Sequence, residues 1–348
     1  MLRRAALVLA LWPTVGSAEP PAPLACPADT HARSTSKNDR TEEWCERSDK
    51  TRHGPFRSFS GAVLTGEGRY VDGKEDGRWM GWHDDGTPFE ERHYDRGILH
   101  GEQIVWNRGV VEMRSSYRHG KEHGTWVWRH GNDREKAITT YVDGRKQGRA
   151  TEWDESGEVI SDGKYDRDTR VGRWIERADG YLERGMYCAG QRCGHWEVFE
   201  DESLFAAGEY RAGLRENLWI TWQGTRRVSR AMYARGQKHG RFERWDYETG
   251  RKITEIECRR GMPHGLRREW WTDGKLRLAG HYDEGELDGM WTTCEDGKTT
   301  ERAVYDHGSH VSGGLVEPSA SGFEADGAGG VHECEFDILH WDGLPANH

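Results

Sequence analysis

Long apolar runs are scarce in this chain, and their scarcity limits the folds that it can adopt. Only 34% of the 348 residues are hydrophobic, and the mean hydropathy is -0.96. Compact cores for the two or three domains that this length suggests would need more apolar residues. The 17 tryptophans nevertheless argue against disorder, because disordered segments are poor in aromatic residues. A thin, repetitive β structure with a few large rings fits both observations.

The chain also lacks a block of basic residues and the common catalytic motifs. Its 50 Lys and Arg residues are mixed with 60 Asp and Glu residues, which gives a formal net charge of -10. Such mixing is typical of a solvated surface and argues against nucleic-acid binding. The sequence contains no Gly-x-Ser-x-Gly, no phosphate-binding loop ending in Lys-Ser/Thr and no His-Glu-x-x-His. We therefore expect no enzymatic activity, no cofactor and no bound metal.

The N-terminus carries the longest apolar run, and residues 1–18 have the three parts of a secretory signal. Two arginines precede the apolar stretch Ala5 to Trp12, and the small residues Gly16-Ser17-Ala18 follow it. This run is too short to cross a bilayer, so we predict export to the periplasm, envelope or exterior. The segment "PLAC" leaves lipidation of Cys26 as an alternative, although Pro23 is a poor match to such sites.

A repeat of about 24 residues extends through most of the chain. Its pattern is Tyr-x-x-Gly-x-x-x-Gly, with rings nine and twelve residues after the tyrosine, as Trp219 and Trp222 follow Tyr210. Clear copies begin at Tyr70, Tyr94, Tyr117, Tyr141, Tyr187 and Tyr282, and degenerate copies begin at Tyr165, Tyr210, Tyr233 and Cys258. With a faded copy near Arg47 and a last one at Tyr305, residues 47–312 hold about eleven copies.

Each copy predicts two short β-strands and two tight turns. One turn lies at the Gly-x-x-x-Gly, and the other lies at an Asp/Asn-Gly such as "TDG" at 272–274. The residue two before the tyrosine is usually small, as Gly185 and Gly208 are, which leaves room for a ring of the neighbouring strand. Because positions nine and twelve have opposite parity, either a bulge separates their rings or both faces carry aromatic side chains.

The stretch "YRHGKEHGTW", which begins at Tyr117, resembles the MORN repeat family in its bacterial variant, Tyr-x-x-Gly-Lys-x-His-Gly-x-Trp. The resemblance implies an all-β fold, an elongated array of stacked hairpins that forms a single twisted antiparallel sheet. It also implies a protein without catalytic activity, since members act as scaffolds, are proposed to lie at membranes, or are antitoxin-like. Residues 19–46, Pro-rich and then polar, are expected to be a linker or N-terminal cap. Residues 313–348 are expected to be a Gly-rich tether and a C-terminal segment.

Surplus rings predict where a partner binds. Trp126 with Trp128, and Trp270 with Trp271, exceed what the repeat pattern requires. Because tryptophan is enriched at binding hot spots, we predict a protein or peptide partner at these four residues. The alternatives are attachment to an envelope glycan or a membrane face, a passive spacer whose rings are used in internal packing, and an antitoxin or immunity role.

Histidines share one repeat position but are not expected to bind a metal. Equivalent positions in adjacent copies lie about 10 Å apart, whereas zinc–nitrogen bonds are about 2 Å long. We interpret these histidines as turn residues; they are His53, His100, His123, His239 and His264. His332, Cys334 and His340 form a looser group in the tail, which we assign to a capping strand.

Seven cysteines in an exported chain suggest disulfides. Cys188 and Cys193 flank a tight turn, close enough for a cross-strand bond, so we predict that they pair. Cys258 and Cys294 are predicted not to pair, because about three strand spacings separate them.

Overall fold

The computed structural model describes residues 22–316, and every regular element within that range is a β-strand. The predicted signal at 1–18, most of the tether and tail, and His332, Cys334 and His340 lie outside the described residues. No helix in the described part of the chain is long and apolar enough to cross a membrane.

The chain divides into two compact units. The first extends to Glu135 and includes Tyr141–Gly144, whereas the second includes Lys136–Thr140 and continues from Arg145, so strand β12 (Glu135–Val142) contributes to both. The strands of the first unit are β1 (His31–Lys37), β2 (Arg40–Glu46), β3 (Arg52–Ser60), β4 (Val63–Val71), β5 (Lys74–Glu75), β6 (Gly77–Trp82), β7 (Pro88–Asp95), β8 (Ile98–Asn107), β9 (Val110–Arg118), β10 (Lys121–Glu122) and β11 (Gly124–Arg129).

The strands of the second unit are β13 (Arg145–Trp153), β14 (Val159–Asp166), β15 (Thr169–Ala178), β16 (Tyr181–Cys188), β17 (Gln191–Glu200), β18 (Ser203–Arg211), β19 (Leu214–Gln223), β20 (Arg226–Ala234), β21 (Gln237–Trp245), β22 (Lys252–Arg259), β23 (Met262–Trp270), β24 (Leu276–Asp283), β25 (Glu286–Glu295), β26 (Lys298–Asp306) and β27 (Ser309–Gly313).

Strands that follow one another in sequence generally pair antiparallel, as β15 pairs with β16 and β16 with β17. The short strands β5 and β10 are the exceptions, since β5 and β6 both pair with β4, and β10 and β11 both pair with β9. All 27 strands are assigned to one sheet. The all-β, antiparallel hairpin prediction is therefore confirmed. Residues 31–46 also form a hairpin, and β2 pairs with β3, so this part of the predicted linker or cap extends the sheet of the first unit.

A ladder of rings forms the core along one face of the second unit, which we call the ring face. Tyrosines and tryptophans of successive copies meet edge to face, with centroids 5.1 to 5.8 Å apart. The ladder contains Tyr165, Trp174, Tyr187, Trp196, Tyr210 and Trp219. This geometry places the positive edge of one ring against the negative face of the next, which favours a fixed order over a loose stack.

Two backbone features hold the indoles of Trp196 and Trp219 in the ladder, whereas the buried Nε1–H of Trp174 has no hydrogen-bond partner among the described residues. A Cβ atom on Gly185 would overlap the indole of Trp196, and one on Gly208 would overlap that of Trp219. The Trp196 Nε1–H donates to the carbonyl oxygen of Met186 at 3.1 Å, and Trp219 donates to Glu209 in the same way at 3.0 Å. The small residue two positions before the tyrosine thus leaves space for the indole of the neighbouring strand, as the sequence predicts.

The rings at positions nine and twelve lie on opposite faces. In β19 no extra residue separates Trp219 from Trp222, because the register shift lies in β20, where Val228 is left unpaired. Strand alternation therefore directs Trp219 toward the ring face and Trp222 to the other side. A bulge is present, but it lies in the facing strand and does not bring the two rings together.

We predict that Gly185→Ala lowers the free energy of unfolding by about 1–3 kcal/mol, because the new methyl group collides with a packed indole. Gly131→Ala is the control, since a Cβ atom there meets nothing within 4 Å and the backbone has no positive φ. Guanidinium denaturation checks both variants. Equal midpoints would show that the ladder does not require the glycine.

Candidate functional site

The ring face of the second unit is covered by cations from its own copies. An arginine five residues after the tyrosine extends over the rings. The Arg192 guanidinium lies 4.3 Å from the centroid of Trp196 and 5.6 Å from that of Tyr210. Arg170 over Trp174 (4.7 Å) and Arg215 over Trp219 (4.9 Å) repeat this contact. These cation–π contacts use the rings in internal packing.

Two glutamates pair with Arg170 and Arg192 of this row. Glu176 accepts hydrogen bonds from Arg170 (2.5 Å), from the Tyr187 hydroxyl (2.9 Å) and from Arg192 (3.1 Å). Glu183 is only 1% exposed, and its Oε2 lies 2.6 Å from Arg192 Nη1. Neither Glu183 oxygen accepts a well-directed hydrogen bond from the described residues. Burial therefore raises the pKa of Glu183, against the pull of Arg192.

The first predicted pair of rings is mostly used in packing. Trp126 is 8% exposed and lies between Tyr117 and Tyr141, with centroids 5.4 and 5.2 Å away. Trp128 is half-buried against Trp126 at 5.5 Å. Because its ring is enclosed, Trp126 is a core residue and presents no surface for a partner. The extra ring of this copy, Trp128, therefore packs against the core of the first unit.

The second predicted pair lies where β23 ends and a hairpin turn begins. Trp270 is half-buried, with the Lys252 ammonium 6.0 Å from its ring. Trp271 is 44% exposed, and the turn fixes its backbone: its N–H donates to the Lys275 carbonyl (2.9 Å), and its carbonyl accepts from Gly274 (2.8 Å). The Arg277 guanidinium lies 5.0 Å from its ring. Trp271 is thus an accessible ring on a fixed support.

A second exposed ring, which the sequence did not single out, lies on the neighbouring turn. Tyr247 is also 44% exposed, and Arg226 donates to its carbonyl oxygen at 2.7 Å. Arg251 in turn donates to the carbonyl oxygen of Thr272 at 3.2 Å, which ties this turn to the one that carries Trp271. We call turns 246–250 and 271–274 together the ring edge. The signal in the sequence that could have identified Tyr247 is that this ring lies at none of the aromatic positions of the repeat.

Two histidines of the column serve the turns, as the sequence suggests, whereas Nδ1 of His100 and of His123 has no hydrogen-bond partner among the described residues. His53 Nδ1 accepts the backbone N–H of Asp72 (3.3 Å), and His264 Nδ1 accepts that of Glu284 (3.5 Å). Both N–H groups belong to turn residues with positive φ in the next copy. At the same repeat position, Glu216 accepts the N–H of Arg235 through its carboxylate. A carboxylate can therefore make the same contact as imidazole at this repeat position.

One group in the described part of the chain has metal-ligand spacing. The ligand atoms of Asp288, Asp306 and His307 lie within 4.8 Å of one another. The hydrogen bond that the His307 ring donates to the Asp306 carboxylate raises the pKa of this exposed histidine. Histidines at the same repeat position of adjacent copies lie too far apart to share an ion. These three residues occupy different repeat positions of adjacent copies, so their side chains can meet.

The cysteine predictions agree with the structure. Cys188 and Cys193 form the predicted cross-strand disulfide, with Cα atoms 5.8 Å apart. Cys294 is a free thiol, so it does not pair with Cys258.

A second disulfide, which the sequence left open, joins Cys26 to Cys45, with Cα atoms 5.5 Å apart. It ties the segment before β1 to β2. It also uses the sulfur atom that lipidation of Cys26 would need. Two disulfides are typical of proteins in an oxidising compartment.

No family model matches the chain, and no curated protein matches it. Membership of the MORN repeat family therefore stays a prediction that depends on the repeat residues.

We predict that Glu183→Gln becomes more stable relative to the wild type as pH rises from 4 to 7. The raised pKa means that the folded wild type holds this proton to a higher pH than the unfolded chain, so it loses stability over that range. The amide does not titrate. Denaturant midpoints at several pH values check this, with Glu202→Gln in an exposed turn as the control. A difference between Glu183→Gln and the wild type that does not change with pH would contradict the buried, proton-retaining carboxyl.

Proposed function

We propose that the protein is a non-enzymatic scaffold that binds a protein or peptide partner at the ring edge. One observation carries this proposal: Trp271 is the only exposed tryptophan among residues 22–316, the others being buried or half-buried. A chain that encloses its other tryptophans and leaves this one on a turn makes the exposed ring a candidate for contact with a partner. Exposed Trp and Tyr anchors are typical of binding hot spots.

The hydrogen bonds that fix the backbone of the ring edge favour a binding role for its exposed rings. Arg226 and Arg251 bind carbonyl groups of the next turn, so the backbone beneath Tyr247 and Trp271 is held before a partner arrives. A preorganised surface loses less conformational entropy on binding, which leaves more of the contact energy as affinity. The guanidinium of Arg277 beside Trp271 adds a donor group next to the apolar ring. A partner with an apolar side chain flanked by polar groups fits this arrangement.

The proposed setting is the periplasm, the envelope or the exterior of the cell. The two disulfides support an oxidising compartment. The predicted secretory signal at residues 1–18 supports the same assignment. The partner is therefore to be sought in the envelope and secreted fractions rather than among cytosolic proteins.

We predict that Trp271→Ala and Tyr247→Ala each weaken partner affinity at least tenfold, because hot-spot rings contribute about 2 kcal/mol or more. The partner is first captured on the full mature chain from an envelope fraction, then purified, and its Kd is measured by calorimetry. Phe89→Ala removes an equally accessible ring in the first unit and is the matched control.

Affinity that is unchanged in both ring-edge variants, or lowered equally by Phe89→Ala, would contradict binding at the ring edge. Retention of polysaccharide alone by the wild type would replace the protein partner with a glycan. Thermal melting of every variant separates lost binding from lost folding.

A further inference from the structure

Three consecutive turns at one edge of the second unit concentrate positive charge. They lie at 211–216, 234–239 and 258–264, and they contain six basic residues against one carboxylate, in a chain whose net charge is -10. We call these three turns the basic edge. Its exposed guanidinium groups belong to Arg211, Arg235, Arg259 and Arg260.

Backbone hydrogen bonds stack these turns in a fixed order. The N–H of Gly236 donates to the carbonyl oxygen of Arg215, and that of Gly261 donates to Lys238, both at 2.9 Å. The Glu216 carboxylate accepts the Arg235 N–H at 2.8 Å and so joins the first turn to the second. Each copy contributes two strands about 4.8 Å apart, so the turns follow one another at about 10 Å.

Three of the four exposed arginines of the basic edge are not neutralised within the described residues. The side chains of Arg235, Arg259 and Arg260 take part in none of the ion pairs or side-chain hydrogen bonds found among residues 22–316. Arg211 is 76% exposed and approaches only Glu216, at 3.6 Å. Other arginines of this unit are paired, as Arg170 and Arg192 are with Glu176. Uncompensated like charges on adjacent turns repel each other, and an anionic partner relieves that repulsion.

An exposed apolar side chain lies among these cations. Leu214 is exposed, and its Cδ2 is 3.4 Å from where a Cβ atom on Gly236 would lie. It therefore sits between the first and second turns of the basic edge. A polypeptide can offer both a carboxylate and an apolar contact, which a uniformly charged polymer does not.

We propose that the basic edge binds an extended acidic polypeptide segment of a partner protein. In the extended polyproline II conformation, three residues complete one turn and each residue advances about 3.1 Å, so every third side chain lies on the same face about 9 Å from the last, close to the spacing of the turns. A Glu or Asp at every third position can then meet one guanidinium on each turn, in the forked geometry that arginine and carboxylate share. This site is separate from the ring edge and does not depend on it.

Fluorescence anisotropy with labelled ten-residue peptides tests the proposal on the full mature chain. The probe carries Glu at every third position, and its comparison peptide has the same composition with the glutamates adjacent. We expect the spaced peptide to bind more tightly, and its affinity to fall as salt rises from 0.05 to about 0.5 M, because the charges are exposed. The double variant Arg235→Glu/Arg259→Glu is expected to weaken binding at least tenfold.

Arg96→Glu is the matched control, because Arg96 holds the same repeat position as Arg235 and is 83% exposed. Near-UV circular dichroism confirms that the ring ladder is intact in each variant. The proposal is overturned if no acidic peptide binds at low salt, if both peptides bind equally, or if Arg96→Glu weakens binding as much as the double variant. Binding of polygalacturonate but not of the spaced peptide would assign the edge to an anionic glycan instead and overturn it as well.

Discussion

The fit of an indole ring onto a glycine of the neighbouring strand is the contact on which the rest of the structure depends. A chain so poor in apolar residues cannot build a thick core, and large rings form one buried cluster of the second unit, which contains Trp174, Tyr187, Trp196 and Trp219. Gly185 leaves the space that Trp196 fills, and the indole N–H satisfies a backbone carbonyl in the same strand. Repeating this contact turns hairpins that are marginal alone into a stable array.

Covering the rings with arginines determines which surfaces are left for partners. Arg192 lies over Trp196 and is neutralised by Glu176 and Glu183, so a face rich in aromatic side chains is largely closed. Accessible groups are then found at the turns, where the repeat permits variation without disturbing the ladder. The exposed Trp271 and the unpaired Arg235 both occupy such turns. Function in this protein is therefore expected at the edges of the sheet.

The repeat predicted much of this fold because spacing alone fixes which residues meet. The strand pairing, the glycine that seats each ring and the Cys188–Cys193 bond all follow from the 24-residue period. The repeat did not predict which rings are exposed, since Trp126 and Trp271 both exceed the repeat pattern in the sequence. Their difference depends on whether neighbouring rings enclose them. The basic edge could not be recognised in the sequence for another reason. Its arginines are about 24 residues apart and form no basic block in the linear sequence.

The most direct test of this account is hydroxyl-radical footprinting of the folded protein, with the oxidation rate of each tryptophan read by mass spectrometry. The account predicts rapid oxidation of Trp271 and strong protection of Trp174, Trp196 and Trp291, which lie in the core. Oxidation of Trp196 at a rate similar to that of Trp271 would show that the ring face is open. In that case the ladder, and not the turns, would be the surface offered to a partner.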